Sequence, residues 1–203
     1  MTGPIGEYLV VLVAGWSSGI SVYLTAAILG ISGRAGWIAL PGSMDTLSNW
    51  LIILTASALF IVEFVADKVP FVDSAWDSVH TFIRPVGAGA IGYMAGTDLG
   101  PIAPTLMALL TGTIALDMHA VKASTRLAIN TSPEPFSNIG ASLAEHSSVF
   151  FIYWFFIKHP ILAALLVLSV LVLGFLLMRA LWRFVKKLFH RPQSPAALRA
   201  ADR

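Results

Sequence analysis

Six long apolar stretches dominate the chain and restrict the folds that it can adopt. They cover residues 8–32, 48–67, 80–97, 101–121, 136–157 and 160–182 of the 203. About 20 apolar residues in an α-helix cross the hydrocarbon core of a bilayer, since each residue advances the helix by about 1.5 Å. The sequence therefore predicts an all-α polytopic membrane protein with about six transmembrane helices.

The composition excludes an ordinary soluble domain. Hydrophobic residues make up 57% of the chain and charged residues 12%, against roughly 45–50% and about 25% in soluble domains. We therefore assign residues 1–182 to one transmembrane helical domain and residues 183–203 to a basic tail. The third stretch is the weakest, because Arg84-Pro85 interrupts it, and we expect a short, tilted or re-entrant segment there.

Charge is distributed unevenly along the chain. From Arg179 onward seven basic residues accompany one acid, Asp202, whereas residues 1–178 contain six basic and ten acidic residues. Basic flanks of transmembrane helices stay on the cytoplasmic side, so the tail is predicted to be cytoplasmic, and six crossings place the N-terminus there too. The basic run has no recognisable nucleic-acid-reading element, and we expect the lipid bilayer rather than a nucleic acid as its partner.

Small residues recur at a spacing of four in two of the predicted helices. Gly15 and Gly19 lie in the first helix, and Ala88, Gly92 and Gly96 lie in the third. Small side chains at this spacing let two helix backbones approach closely in a membrane. We therefore expect tight helix packing at both places.

A shift of 54 residues indicates an internal repeat. It aligns residues 63–68 with 117–122 and residues 80–84 with 134–138 without a gap. Each copy consists of an apolar span, an acid, a lysine five residues later, a polar connector and a second span. Repeats of this size are common in secondary transporters, whose sites form where the repeats meet.

Polar residues form stripes on the predicted helices, because residues four apart share one helix face. In the first half, Glu63 and Asp67 precede Lys68, and a further stripe follows. In the second half, one stripe leaves the fourth helix and another enters the fifth, which we expect to start at Pro133 with Ser132 as its N-cap. These three stripes comprise Asp73, Asp77, Thr81 and Arg84; His119, Lys122, Arg126 and Asn130; and Glu134, Asn138, Ser142 and Glu145.

The cost of burying charge in lipid predicts where these side chains point. A charge at the centre of a bilayer costs roughly 2.5–3.5 kcal/mol, so Glu63, Asp117 and Glu145, a turn or more inside the predicted spans, should face the interior of the bundle. The prediction is a polar pocket near the cytoplasmic side for a small polar or ionic substrate. Its candidate substrate- or ion-binding residues are Glu63, Asp67, Lys68, His80, Arg84, Asp117, His119, Lys122, Arg126, Asn130, Glu134, Asn138 and Glu145.

The sequence gives little support to a metal or cofactor site. Cysteine is absent, which excludes disulfides, thiolate ligands and a cysteine nucleophile. Histidine and glutamate side chains can bind a divalent metal, but no H-x-x-x-H or E-x-x-H spacing occurs. We expect no cofactor and leave a metal site open.

Three motifs point to one family. They are GISVYLT (19–25), VEFVADKVPFVDSAWDSVHTFIRP (62–85) and KASTRLAINTSPEPFSN (122–138). These segments resemble the hallmarks of the bacterial membrane proteins grouped as domain of unknown function 4126. The resemblance implies a multi-pass protein of the bacterial inner membrane and supplies no activity. A looser similarity is to cation/proton exchangers, whose Glu-x-Gly-Asp-Lys-Thr motif differs from residues 63–68 by one residue of spacing and by its glycine and threonine.

We expect a small secondary transporter or permease that forms a homo-oligomer and has no catalytic residues. Carboxylates such as Glu63 would bind protons or cations, and bases such as Lys122 would neutralise them or hold an anionic substrate group. Two alternatives stay open: a non-transporting scaffold or assembly factor whose network serves helix packing, and a membrane-embedded enzyme acting on lipid head groups with His80 or His119 as base. The charged residues could also lie singly in solvated interfacial loops.

Overall fold

A computed structural model describes residues 4–69, 71–131 and 135–189, and the regular elements in these ranges are helices joined by short connections. No strand occurs in these ranges, and the prediction of an all-α chain is confirmed. The helices are α1 (Pro4–Arg34), α2 (Trp50–Ala66), α3 (Val72–Ala95), α4 (Ala103–Asn130), α5 (Pro135–Lys158) and α6 (Pro160–Phe189), with a short 3-10 helix (Gly42–Ser48) before α2.

Two helices extend further than the apolar stretches indicated. α3 is a continuous helix of 24 residues that contains Pro85, so the expectation of a short segment from residue 80 is wrong; whether the helix is tilted or re-entrant stays a prediction. Neighbouring helices can compensate for the backbone donor that proline lacks. The charged residues before it, Asp73 and Asp77, are buried in the bundle and so belong to the helix rather than to a solvated connector. α4 likewise continues beyond residue 121, to Asn130.

The end of the chain is described only in part. α6 continues to Phe189, past the predicted end of the transmembrane domain at residue 182. Residues 190–203 of the predicted tail lie outside the described residues. The boundary between domain and tail therefore stays a prediction.

Length and apolarity identify fewer spans than the six predicted. Three helices in the described residues qualify: Tyr8–Arg34, Ala103–Asn130 and Pro160–Phe184. The 3-10 helix and α2 qualify together, as a pair bent by 71°. α3 and α5 do not qualify, because polar residues lower their mean hydropathy. Three or four apolar helices of this length are the mark of a membrane protein.

α1 is the central helix of the bundle. It contacts all five of the other long helices in the described residues. The apolar stretch within Tyr8–Arg34 is 78% buried inside the protein, against 17% for that within Pro160–Phe184. α4 passes so close to α1 at Gly19 that an added Cβ would lie 2.6 Å from the Ala115 carbonyl oxygen. Glycine at this position therefore permits the contact between the two helices.

The central helix is broken in its middle. Ser21 has an extended backbone, with φ of −155° and ψ of 108°. Its Oγ accepts a hydrogen bond of 3.1 Å from the Leu24 backbone amide, which is the geometry of a helix N-cap. A continuous helix would direct that amide to the Ile20 carbonyl. α1 is therefore two half-helices joined at Ser21, and the Ile20 carbonyl is available to other donors.

We expect Gly19→Ala to lower the thermal stability of the protein in detergent, because overpacking a tight contact costs about 1–3 kcal/mol. Gly140→Ala is the matched control: Gly140 also lies within a helix, but nothing lies within 4 Å of an added Cβ there. That substitution should be neutral or stabilising. Differential scanning fluorimetry measures both variants, and equal melting temperatures would contradict the close contact between α1 and α4.

Candidate functional site

Glu63 connects the break in α1 with α3. Its side chain is fully buried. Oε2 accepts a hydrogen bond from the Ser21 hydroxyl, and Oε1 accepts one of 2.8 Å from Arg84 Nη2. Arg84 Nη1 also donates to the Gly19 carbonyl oxygen at 3.4 Å. The last turns of α2 are thus joined to α1 and α3 by charge-assisted hydrogen bonds, which are the strong kind.

Lys122 of α4 lies where α1, α2, α3 and α5 all reach it. Its Nζ donates to Asp67 Oδ2 at 2.7 Å and to the Ile20 carbonyl oxygen at 3.3 Å. The carboxylates of Asp77 and Glu145 each lie 3.7 Å from it. Lys122 is only 2% exposed, and a buried ammonium needs such partners because its desolvation costs several kcal/mol.

Arg126 lies one turn further along α4 and forms a bidentate pair with Glu145 of α5. Nη2 is 2.6 Å from Oε2 and Nε is 3.1 Å from Oε1. Nη1 donates to the Asp67 carbonyl oxygen at 2.9 Å and to the Asn138 carbonyl oxygen at 3.2 Å. The planar guanidinium therefore connects the ends of α2 and α5 to α4 with fixed geometry.

Two asparagines extend the network towards the ends of α4 and α5. Asn130 Nδ2 donates to both carboxylate oxygens of Asp73, at 3.0 and 3.1 Å. Asn138 Nδ2 donates to Asn130 Oδ1 at 2.8 Å. Arg126 Nη1 lies 3.9 Å from Asp73 Oδ2, which is too far for a hydrogen bond. The Asn130 side chain therefore donates hydrogen bonds to a buried carboxylate whose ion pair with Arg126 is too long to include one.

Buried histidines border the network. His119 Nδ1 faces the guanidinium of Arg84, which can only donate. The neutral His119 ring therefore carries its proton on Nε2, 3.0 Å from the Thr81 hydroxyl oxygen. His80 packs against the rings of Tyr23 and Trp76. His146 packs against Phe60 and Phe64, and its Nε2 lies 3.9 Å from Asp67 Oδ2.

Acids outnumber bases in this network. Its ion pairs join five carboxylates to three cationic side chains. Lys68, at the edge of the network, adds a fourth positive charge, so the carboxylates are still in excess. Asp67 Oδ1 and both oxygens of Asp77 accept no hydrogen bond within the described residues. The network thus has room for a cation, a proton or a neutral donor. The carboxylates are those of Glu63, Asp67, Asp73, Asp77 and Glu145, and the cations are Arg84, Lys122 and Arg126.

The structure brings most of the candidate site residues together, and both motif regions contribute. Lys68 and His80 lie at the edge, where they contact Ser142 and the Tyr23 hydroxyl. Glu134 lies outside the described residues, as does the helix start predicted at residues 132–133. The residues that converge are Glu63, Asp67, Arg84, His119, Lys122, Arg126, Asn130, Asn138 and Glu145. No three acidic or histidine side chains in the described ranges are placed to hold a metal ion.

Asp117 does not face the network, contrary to the expectation from its depth in the span. It lies in an apolar cleft of about 140 Å³ between α4 and α6, beside Val121 and Leu173. Asp117 precedes His119 by two residues, a rotation of about 200° around the helix, and therefore points away from the polar stripe of α4. Depth in a span predicts that a carboxylate avoids lipid, but helix rotation decides which neighbour it meets.

At least three contributors were absent from the candidate site residues: Asp73, Asp77 and Ser21. Asp77 Oδ1 lies 3.0 Å from Arg84 Nη1, and its place seven residues before Arg84 on one helix face was the available signal. Ser21 is hidden in an apolar span. Only its spacing of four from Ser17 and Thr25 could have revealed it; the Thr25 hydroxyl donates to the Ser17 hydroxyl oxygen and to the Ser21 carbonyl oxygen.

Removing Glu63 should destabilise the protein strongly. Glu63→Ala leaves Arg84 buried without its closest partner, and breaking a buried ion pair costs about 3–5 kcal/mol. Asp117→Ala is the matched control, because it removes an acid that lies outside the network and should keep or raise stability. Unfolding in detergent, followed by tryptophan fluorescence, measures both. Equal losses would contradict the assignment of Glu63 to a paired network.

One family model matches the chain. It is described as Domain of unknown function (DUF4126) and covers residues 8–180, which include the described part of the network. No curated protein and no solved structure matches. The matched range extends past residue 138, where the third motif ends, and through most of α6. Because the match covers far more than half of the chain, the protein belongs to the DUF4126 family.

Proposed function

We propose that the protein is a small secondary transporter or permease that moves a small polar or ionic solute across a bacterial inner membrane. The observation that carries the proposal is the break in α1 at Ser21, beside the buried carboxylate of Glu63. Broken helices of transporters place free carbonyl groups and half-helix N-termini at their substrate and ion sites. The break in α1 also provides free carbonyl groups and the N-terminus of a half-helix, and α1 is the central helix of the bundle.

The break supplies both kinds of group. The Gly19 and Ile20 carbonyl oxygens accept hydrogen bonds from Arg84 and Lys122, at 3.4 and 3.3 Å. The N-terminus of the second half-helix, at Ser21, has a positive dipole end, which favours an anion such as Glu63. Neutralisation of Glu63 by a proton or cation would weaken its hold on Arg84. Ion binding would thereby be coupled to the angle between the two half-helices.

The remaining residues have complementary roles in this proposal. Lys122 and Arg126 neutralise the carboxylates or hold an anionic substrate group, since each already pairs with more than one acid. Asn130 and Asn138 provide neutral hydrogen bonds that can be exchanged without separating charges. These exchangeable contacts lie at the end of α4 and the start of α5, which the proposed topology places on the cytoplasmic side.

The proposal includes six membrane spans with both termini in the cytoplasm. α3 and α5 do not qualify as spans by mean hydropathy, but their large apolar side chains face outward. Phe82 and Val86 of α3 are 75% and 72% exposed, and Trp154 of α5 is 57% exposed. Their charged residues point inward, which lowers mean hydropathy without exposing charge to lipid. Lys186 and Lys187 at the end of α6 support a cytoplasmic C-terminus.

A non-transporting scaffold is the second candidate. The observation in its favour is the close pairing of the charges, with Arg126 Nη2 2.6 Å from Glu145 and Lys122 Nζ 2.7 Å from Asp67. Buried ion pairs can fix the register of packed helices without binding a ligand. A scaffold predicts that substitutions in the network change stability and leave no solute-dependent signal.

Reconstituted vesicles separate the two candidates. Purified protein in vesicles that contain a pH-sensitive dye is exposed to small amines, amino acids, sugars and organic acids under a proton gradient. We expect at least one class to change the proton flux in the wild type, and Glu63→Gln and Lys122→Gln to reduce that change by about tenfold or more. Asp117→Asn, outside the network, should retain it.

Two results would contradict the transport proposal. One is the absence of solute-dependent flux for every class, combined with lower melting temperatures of the glutamine variants, which favours the scaffold. The other is full flux in folded Glu63→Gln and Lys122→Gln proteins, which would remove the network from the transport pathway.

A further inference from the structure

A cleft between α3 and α4 opens onto the charged network. Its volume is about 120 Å³. Ser74, Ser78 and Thr81 of α3 line one side with hydroxyl groups, and Ala123 and Leu127 of α4 line the other with aliphatic groups. The cleft therefore combines a hydrogen-bonding wall with an apolar one. Sites for small ligands are commonly built in this way, with a few polar groups placed in a mainly apolar surface.

Asp77 lies in this cleft and has unused capacity to accept hydrogen bonds. It is 3% exposed, and neither carboxylate oxygen accepts a hydrogen bond within the described residues. Buried acceptors of this kind are rare, because leaving one unsatisfied costs about 1–3 kcal/mol. A group that supplies donors at Asp77 would remove that cost.

The neighbouring charges define what such a donor can be. Arg84 Nη1 on α3 and Lys122 Nζ on α4 lie 3.0 and 3.7 Å from Asp77 Oδ1, and Arg126 of α4 also lines the cleft. Each of these cations has a closer carboxylate: Glu63 at 2.8 Å, Asp67 at 2.7 Å and Glu145 at 2.6 Å respectively. Asp77 is therefore the second partner of cations that are already paired, in a network with more acids than bases.

We propose that the α3–α4 cleft binds a small primary ammonium ion, whose N–H groups donate to Asp77 and whose short alkyl group packs on Ala123 and Leu127. The proposal rests on the proposed transport function and names the substrate class of that site. An apolar cavity of about 150 Å³ holds benzene, so a cleft of about 120 Å³ admits up to about six non-hydrogen atoms. The positive charge matches the acid excess, and the N–H donors match the Asp77 oxygens, which accept no hydrogen bond within the described residues although Oδ1 is ion-paired.

A panel of small probes that separates positive charge from hydrogen-bond donors tests the chemistry of the site. Ethylammonium has charge and donors, tetramethylammonium has charge without donors, ethanol has a donor without charge, and acetate has the opposite charge. For the purified protein in detergent, ethylammonium should raise the melting temperature saturably, by about 5–10 °C at a hundredfold excess over Kd. The other three should give less than a fifth of that shift.

Two variants locate the binding. Asp77→Asn should abolish the ethylammonium shift, and Asp117→Asn should retain it, because Asp117 faces α6 rather than the cleft. No shift in the wild type, an equal shift in Asp77→Asn, or an equal shift with tetramethylammonium would overturn the proposal.

A second measurement leaves the network intact. The chain has no cysteine, so Ser78→Cys gives a single thiol in the cleft, and Val79→Cys gives one on the adjacent residue, which does not line it. Ethylammonium should slow maleimide labelling of Ser78→Cys at least about fivefold at that same excess, since bound ligand covers the thiol, and leave Val79→Cys unchanged. Equal labelling of Ser78→Cys with and without ethylammonium would overturn the proposal.

The binding and vesicle experiments can contradict the ammonium site and the transport function independently of each other. Ethylammonium binding that needs Asp77, without solute-dependent flux, supports the ammonium site and contradicts transport. Flux that needs Glu63 and Lys122, in a protein that does not bind ethylammonium, overturns the ammonium site and leaves the transport proposal standing.

Discussion

The pairing of charges inside the bundle is the interaction on which the rest of the structure depends. Arg84, Lys122 and Arg126 are almost completely buried, and an unpaired charge at such depth would cost more than most single contacts contribute. Each of them forms ion pairs with at least two carboxylates, and at least one of these belongs to a different helix or helix end. The positions of α2, α3, α4 and α5 relative to one another therefore have to satisfy these pairs, and α1 adds carbonyl groups from its break.

This constraint produces a polar interior and an apolar exterior. In lipid there is little hydrophobic drive for helices to associate, so close backbone contacts and polar groups hold a bundle together. Gly19 provides the close contact, with α4 against α1, and the network provides the polar one. The apolar exterior is illustrated by Phe82 and Val86, which lie on the outer face of α3. The same arrangement accounts for the lower mean hydropathy of α3 and α5, which contribute buried polar residues to the network.

Much of this arrangement could be predicted from the sequence, for two physical reasons. Apolar stretches of about 20 residues have one solution in a bilayer, so the number of long helices followed directly. Charges inside those stretches must avoid lipid, so Glu63 and Glu145 were expected to meet bases from elsewhere, and they lie within 3 Å of Arg84 and Arg126. Spacing along the helix was sufficient for residues that belong to long stripes.

The rest depends on tertiary packing that a single sequence does not reveal. A shift of 54 residues aligned Glu63 with Asp117, yet Glu63 is in the network and Asp117 faces an apolar cleft, so the two aligned acids are not equivalent. The extended backbone at Ser21 has no local cause such as proline, and its hydroxyl contacts a carboxylate 42 residues away. That the Asp77 carboxylate accepts no hydrogen bond within the described residues is likewise apparent only from the assembled helices.

The most direct test of this account is a double-mutant cycle on the ion pair that joins the two motif regions, with Asp67→Asn, Lys122→Met and the double variant unfolded in detergent. A buried pair at 2.7 Å predicts a coupling free energy of about 1.5–3 kcal/mol, so that the second substitution costs far less once the first is present. Additive losses, equal within about 0.5 kcal/mol, would mean that the two side chains do not depend on each other and would contradict a shared charged interior.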